Sequence, residues 1–79
     1  MAVVTSFTRI PDRDGAPHPT QVECRWKTFD AGTQRMLQLD TFGSNKRQIL
    51  NKVSQTLQLD RKRASDLMEI IRATLPELK

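Results

Sequence analysis

The apolar residues of this chain change their spacing once, and the change separates a strand-forming part from a helix-forming part. Across residues 21–27 and again across residues 34–42, apolar and polar side chains alternate, which is the pattern of half-buried β-strands. Residues 30–32, Asp-Ala-Gly, lie between them and supply turn chemistry, since Gly32 can adopt a positive φ. These segments predict an antiparallel β-hairpin over residues 20–42.

The C-terminal part predicts one more strand and one helix. Residues 53–59 alternate with Leu57 and Leu59 directed inward, and Asp60 follows where a helix N-cap belongs. An apolar stripe at three- and four-residue spacing then runs through residues 60–75 and stops before Pro76; it consists of Ala64, Leu67, Met68, Ile71 and Leu75. We therefore expect an amphipathic helix that covers the inner face of the sheet.

Residues 1–79 are interpreted as a single domain of the α+β class. Its expected architecture is a three- or four-stranded antiparallel sheet, built around the hairpin and packed against one C-terminal amphipathic helix. Residues 1–19 are expected to form an N-terminal strand or arm, over residues 2–10, and a Pro-rich loop. Residues 43–52 are interpreted as a basic loop before the third predicted strand.

The small size of the chain favours association with a partner. A domain of this length buries only about 60% of the surface of its unfolded chain, and the single Cys24 excludes an intramolecular disulfide. We therefore expect a homodimer, or docking on a larger assembly. Apolar residues near the start form only a short run, Ala2 to Val4, which favours a cytoplasmic protein with no membrane contact.

The sequence contains few residues that could act in catalysis or bind a metal ion. His18 is the only histidine and lies between two prolines, so a nucleophile with its base, or a zinc site, lacks residues. Cys24 shares its alternation phase with Val22 and Trp26, and we interpret Cys24 and Trp26 as core residues. We expect no enzymatic activity, no cofactor and no metal.

The basic residues are concentrated in the second half of the chain. Residues 1–40 carry five basic and five acidic side chains, whereas residues 41–79 carry eight basic and four acidic ones. Within residues 46–63 the only acid is Asp60, against six cations: Lys46, Arg47, Lys52, Arg61, Lys62 and Arg63. A local excess of one charge favours an anionic partner such as nucleic acid.

The run Arg61 to Arg63 is unfavourable for the helix that it begins. The positive end of a helix dipole disfavours nearby cations by roughly 0.3 to 1 kcal/mol each. Two interpretations stay open: the three side chains are solvated cations without a role, or they contact phosphates together with the basic loop. On the outer strand face, Arg25 and Lys27 are further candidates, and Phe42 is a candidate for base stacking, a dimer contact or a core edge.

Two resemblances extend this interpretation. The segments SFTRIP, HPTQVEC, LQLDTFGS and SQTLQLD resemble a set of short bacterial proteins, a match that transfers no activity. Residues 23–75 also resemble, distantly, the positive-cofactor-four family of single-stranded DNA-binding transcriptional coactivators. That resemblance is carried by Lys52, the strand SQTLQL, the cap Asp60 and the helix positions Leu67, Ile70 and Ile71.

The second resemblance implies a curved four-stranded sheet backed by one helix, a dimer formed through the helices, and DNA lying across the strand faces and the basic loop. The chain departs from the family at residues 51–53, which lack its Gly-rich entry to the last strand, and at Glu23 and Asp40, which place acids on the outer face. Both departures weaken the inference from this resemblance to single-stranded DNA.

Two functional hypotheses follow from the sequence. The first is a small non-catalytic nucleic-acid-binding module, tolerant of sequence and directed to single-stranded DNA or RNA, with a role such as transcription regulation. Its predicted contact residues are Arg25, Lys27, Phe42, Lys46, Arg47, Lys52, Arg61, Lys62 and Arg63. The alternative is a protein-binding module, such as a small inhibitor or an accessory subunit of a nucleic-acid-processing complex.

Overall fold

The computed structural model describes residues 1–11, 15–43 and 53–78 of the chain. They form strands β1 (Ala2–Val3), β2 (Cys24–Ala31), β3 (Gln34–Phe42) and β4 (Val53–Leu59), followed by helix α1 (Arg61–Thr74). The strands make one sheet in the order β1-β4-β3-β2. The predicted α+β class with one C-terminal helix is confirmed, as are the hairpin and the bounds of the strand over residues 53–59.

The N-terminal strand differs from the prediction in length and direction. Among residues 1–11, only Ala2 and Val3 pair with β4, and they run parallel to it, so the sheet is mixed rather than wholly antiparallel. The amide of Val4 donates to the carbonyl of Gln58 at 3.0 Å, after which the chain leaves the sheet. The strand predicted over residues 2–10 is therefore longer than the part of β4 with which it can pair.

The hairpin closes through a two-residue loop. Ala31 pairs with Gln34, leaving Gly32 and Thr33 between the strands. Gly32 has φ 63°, a left-handed conformation that the primed hairpin turns require and that glycine adopts without steric cost. The turn fixes the register of the whole hairpin, from Ala31 with Gln34 to Cys24 with Thr41.

The core of the domain is small and is divided between the two faces of the sheet. Helix α1 packs against β3 and β4. The buried apolar side chains are Met36 and Leu59, the latter only 3% exposed, and the register places them on opposite faces, Met36 with Gln38 and Leu59 with Leu37. The cap Asp60 accepts a hydrogen bond from the backbone amide of Arg63 at 2.8 Å, as its position predicted. No described residue of α1 is buried, so the helix covers the sheet with half-buried side chains only.

Candidate nucleic-acid interface

One face of the sheet carries three of the predicted contact residues. On β2, Arg25 lies opposite Asp40 and Lys27 lies opposite Gln38, and because strand residues alternate between faces, these four side chains share one side of the sheet. The ring of Phe42 joins them, since the guanidinium carbon of Arg25 lies 4.3 Å from its centroid. This distance is a cation–π contact, which holds both side chains at the end of the hairpin.

A hydrogen-bonded ladder crosses the same face from β3 to β4. Gln58 donates to the side-chain oxygen of Gln38 at 2.9 Å, and Gln38 donates in turn to both carboxylate oxygens of Asp40, at 3.1 and 3.2 Å. The hydroxyl of Thr56 donates to Asp40 at 2.7 Å. Gln38 and Thr56 are both buried. The ladder therefore stabilises the strands, while contact with a ligand is left to the more exposed groups around it.

Acidic side chains on this face reduce its positive charge. Glu23 forms an ion pair with Arg25 at 3.1 Å between two half-exposed side chains, and Asp40 sits in the ladder with hydrogen-bond donors around it. Lys27 is the exposed cation of the face for which the structure describes no ion pair. Among the described strand residues, Lys27 is thus the group best placed to neutralise a phosphate.

The start of α1 separates the three cations predicted to act together. Arg61 and Lys62 are exposed, in a first turn that contains no acid. Arg63 instead points to the N-terminal arm, where its guanidinium donates to the backbone carbonyl of Thr5. Its Nε lies 3.2 Å from a carboxylate oxygen of Asp66, a charge contact without hydrogen-bond geometry. Arg63 therefore anchors the arm and is less available for a ligand than its neighbours.

The basic loop lies outside the described residues. Lys46, Arg47 and Lys52 belong to residues 44–52, so their predicted role stays a prediction. The clamp between Arg63 and the arm was not predicted, because nothing in the local sequence pairs a helix start with a carbonyl 58 residues earlier. The hydrogen bonds that join the ladder residues into one network were not predicted either.

The opposite face of the sheet is exposed along β2. Trp26 lies opposite Leu39 on that face and is 70% exposed, and Cys24 is exposed as well. The interpretation of Trp26 and Cys24 as core residues was therefore wrong. The physical reason is that α1 contacts β3 and β4 but makes no contact with β2 in the described part of the chain, so the outer strand stays uncovered.

Apolar side chains are also exposed on the second half of α1 and at its C-cap, Leu75. Met68, Ile71 and Leu75, which belong to the predicted stripe, are each at least 40% exposed. Beside this helix the N-terminal arm borders an open groove of about 710 Å³, lined by Phe7, Thr8, Arg9, Ile70, Ala73 and Thr74. Contiguous exposed apolar surface of this kind marks sites of interaction with proteins, membranes or ligands.

The described residues offer no cluster of three His, Cys, Asp or Glu side chains that would hold a metal ion. Within those same ranges, no helix is long and apolar enough to cross a membrane. No protein-family model matches the sequence, and neither a curated protein nor a solved structure shows significant similarity to it.

Proposed function

We propose that the protein is a small non-catalytic module that binds single-stranded DNA or RNA with little sequence preference. Phosphates are contacted by exposed cations on the strand face, at the helix start and in the basic loop, and Phe42 offers an aromatic ring for base stacking. The residues assigned to this surface are Arg25, Lys27, Phe42, Lys46, Arg47, Lys52, Arg61 and Lys62.

The observation that carries the proposal is the gathering of Arg25, Lys27 and Phe42 on one sheet face. Residues 25 and 27 come from one strand and residue 42 from the next, and the register brings them within one side-chain layer. A cationic track with an aromatic ring beside it is the combination that sequence-tolerant single-strand binders use. Lys27, Gln38 and Gln58 lie side by side across β2, β3 and β4, and Gln58 precedes the start of α1 by three residues.

Self-association and cellular placement form part of the same proposal. We infer a homodimer, because the chain exposes apolar residues on both β2 and α1 that a second copy would cover. Cytoplasmic location and a role in nucleic-acid processing, such as transcription regulation, follow from the proposed ligand. The distant resemblance to the positive-cofactor-four family supports the same ligand class.

Salt dependence of binding tests the strand face. Lys27→Gln removes an exposed charge from the proposed surface, whereas Arg35→Gln removes the same charge from the opposite face, where Arg35 donates to the hydroxyl of Thr28 at 3.2 Å. Affinity for a fluorescent single-stranded oligonucleotide is measured between about 50 and 300 mM salt, a range wide enough to give a clear slope. Each phosphate that a variant no longer neutralises should reduce the slope of log affinity against log salt by about 0.7.

The expected result is a shallower slope for Lys27→Gln and an unchanged slope for Arg35→Gln. Equal slopes for both variants would show that the charge acts only through the net field of the protein. A wild-type protein that fails to bind the oligonucleotide at micromolar concentration in moderate salt would overturn the proposal.

The basic loop is tested by one combined substitution. Replacing Lys46, Arg47 and Lys52 together by Ala should weaken binding and flatten the salt slope by the equivalent of up to about three phosphates, or roughly 2 units. Circular dichroism provides the folding control. Full-strength binding by the triple variant would remove the loop from the proposed surface.

A second candidate function is favoured by the exposed apolar residues. Trp26 and the helix residues Met68, Ile71 and Leu75 resemble the centre of a protein interface more than a phosphate contact. A dedicated protein ligand, such as a small inhibitor or an accessory subunit of a nucleic-acid-processing complex, would use them against its partner. Binding to a protein partner that survives Lys27→Gln and the loop substitution, but is abolished by Trp26→Ala, would favour this function.

A further inference from the structure

Strand β2 forms an open edge of the sheet. It pairs with β3 on one side, and in the described part of the chain it has no neighbouring strand on the other. The two-residue hairpin loop and the hydrogen bond from the amide of Phe42 to the carbonyl of Glu23, 3.1 Å long, fix which backbone groups face β3. The backbone groups of the odd-numbered residues of β2 face β3. The outward amides and carbonyls are therefore those of Cys24, Trp26, Thr28 and Asp30.

The open edge lies beside exposed apolar surface. Trp26 is 70% exposed and Cys24 is exposed, and both residues also carry outward backbone groups. An edge strand of eight residues with free backbone groups is a template for a further strand. A partner strand would pair the backbone and cover part of the indole ring.

The isolated chain exposes more surface than a compact monomer of its mass. The chain exposes 7351 Å², whereas a compact monomer of 9.1 kDa would expose about 4,900 Å². The radius of gyration is 15.0 Å, against about 12 Å for a compact domain of 79 residues. The excess of about 2,450 Å² leaves ample surface for the roughly 800 Å² that each partner buries in a standard interface.

We propose that β2 pairs antiparallel with β2 of a second copy, with the two-fold axis passing at Thr28. The inference rests on the self-association included in the proposed function and assigns the surface and register for it. Outward backbone groups belong to even-numbered residues, so these must lie opposite one another, and the symmetric register is centred on a single residue. Trp26, Lys27 and Thr28 are the central candidates.

Charge decides between these registers. Centring on Trp26 places Arg25 opposite Lys27 of the partner subunit, and centring on Lys27 places two ammonium groups directly opposite each other. Like charges at directly opposed positions destabilise a strand pair. Centring on Thr28 creates no such pair and joins residues 25–31, whereas centring on Phe29 joins only residues 27–31.

The Thr28 register also gives favourable neighbours. Thr28 lies opposite Thr28 of the partner subunit, a pair that strands favour. Trp26 lies opposite Asp30 of the partner subunit, which brings an indole donor to a carboxylate acceptor. Since opposed residues share a face, the two copies form one continuous sheet of eight strands, with Arg25 and Lys27 of both copies along the centre of one side.

Proline at position 28 tests the pairing. The amide of Thr28 points away from β3, so Thr28→Pro removes an outward donor without removing a hydrogen bond inside the sheet. Thr28→Val is the matched control, because it keeps the amide and removes only the hydroxyl that accepts from Arg35 at 3.2 Å. We expect the wild type and Thr28→Val to sediment at about twice the monomer mass of 9.1 kDa, and Thr28→Pro at the monomer mass.

A second variant keeps the experiment decisive if Thr28→Pro does not fold by circular dichroism. Thr28→Lys leaves the backbone intact and places two ammonium groups opposite each other on the axis. It should raise the dimer dissociation constant at least tenfold. A folded Thr28→Lys variant that dimerises as tightly as wild type would overturn the edge pairing.

Cross-linking tests the register. In a Cys24→Ser background, Thr28→Cys should form an intermolecular disulfide under mild oxidation, because directly opposed residues have Cα atoms about 5.5 Å apart. Trp26→Cys should cross-link poorly. Efficient cross-linking through position 26 instead would overturn the Thr28 register.

The outcomes separate this inference from the proposed function. A wild-type protein that is monomeric at every concentration tested would overturn both the edge pairing and the homodimer, while oligonucleotide binding is scored independently. A dimer that survives Thr28→Pro but dissociates in Ile71→Glu would overturn only the edge pairing and assign self-association to α1.

Discussion

The guanidinium of Arg63, in the first turn of α1, donates to the backbone carbonyl of Thr5, which links the helix start to the N-terminal arm. The Arg63 side chain is only 17% exposed and also lies beside Asp66. Of the three consecutive cations at the start of the helix, one is thereby assigned to holding the fold together. The other two remain exposed.

Removing this clamp should loosen the arm without unfolding the domain. In Arg63→Met the arm loses a charged hydrogen bond, so opening of β1 becomes easier. Hydrogen exchange of the Val4 amide, which donates to Gln58, should accelerate about tenfold, equivalent to about 1.4 kcal/mol. Arg61→Met removes a neighbouring exposed charge and should leave that exchange rate unchanged. Equal rates in the two variants would contradict the clamp.

The remaining cations of the helix start should show opposite effects on stability and on binding. Replacing Arg61 and Lys62 together by Gln removes two charges from the positive end of α1, which should stabilise the protein by roughly 0.6 to 2 kcal/mol in total at low salt. The same variant should bind a single-stranded oligonucleotide more weakly. Thermal unfolding and fluorescence anisotropy measure the two effects, and unchanged binding with raised stability would favour cations without a role.

The hairpin turn should be sensitive to backbone conformation alone. A Cβ added at Gly32 meets no atom within 4 Å, yet φ there is 63°, so Gly32→Ala costs about 1 to 2 kcal/mol through the left-handed conformation. Gly15→Ala is the control, because its Cβ also meets nothing within 4 Å and its φ is not in that region. The midpoint of urea unfolding should fall for Gly32→Ala, and an equal fall in both variants would exclude the turn as the cause.

The ladder on the strand face should contribute measurably to stability. Thr56→Val removes the 2.7 Å hydrogen bond to Asp40 at a buried position, and leaves a carboxylate with one donor fewer. We expect a loss of about 1 to 3 kcal/mol. Ser54→Ala, on the same strand, removes exposed hydrogen bonds to Thr41 and should cost less than about 0.5 kcal/mol. A loss for Thr56→Val of less than about 0.5 kcal/mol, no larger than that for Ser54→Ala, would contradict a stabilising role of the ladder.

Much of the secondary structure was predictable because local spacing determines it. Two-residue alternation located the hairpin, the strand Val53–Leu59 followed from the same pattern, and Asp60 marked the helix start. The faces were also predictable, since alternation alone places Arg25 and Lys27 on one side and Trp26 on the other.

The alternation does not specify how much of an apolar face the helix covers. This is why Trp26 and Cys24 were wrongly predicted to be core residues. The alternation assigns Trp26 and Cys24 to the apolar side of β2. Their burial depends on how far α1 reaches across the sheet, and α1 reaches only as far as β3. The parallel pairing of Ala2 with Leu57 likewise joins residues 55 positions apart, a contact that no local pattern encodes.

The sequence by itself determined the period of each segment, the helix cap and the uneven charge, because each depends on residues close together in the chain. Only the tertiary structure decided that Arg63 holds the arm, that Arg25 contacts Phe42, and that β2 remains an open edge. These relationships depend on which strands become neighbours and on how far the helix extends across the sheet. Long-range packing sets both, and in so small a core a few side chains carry that packing.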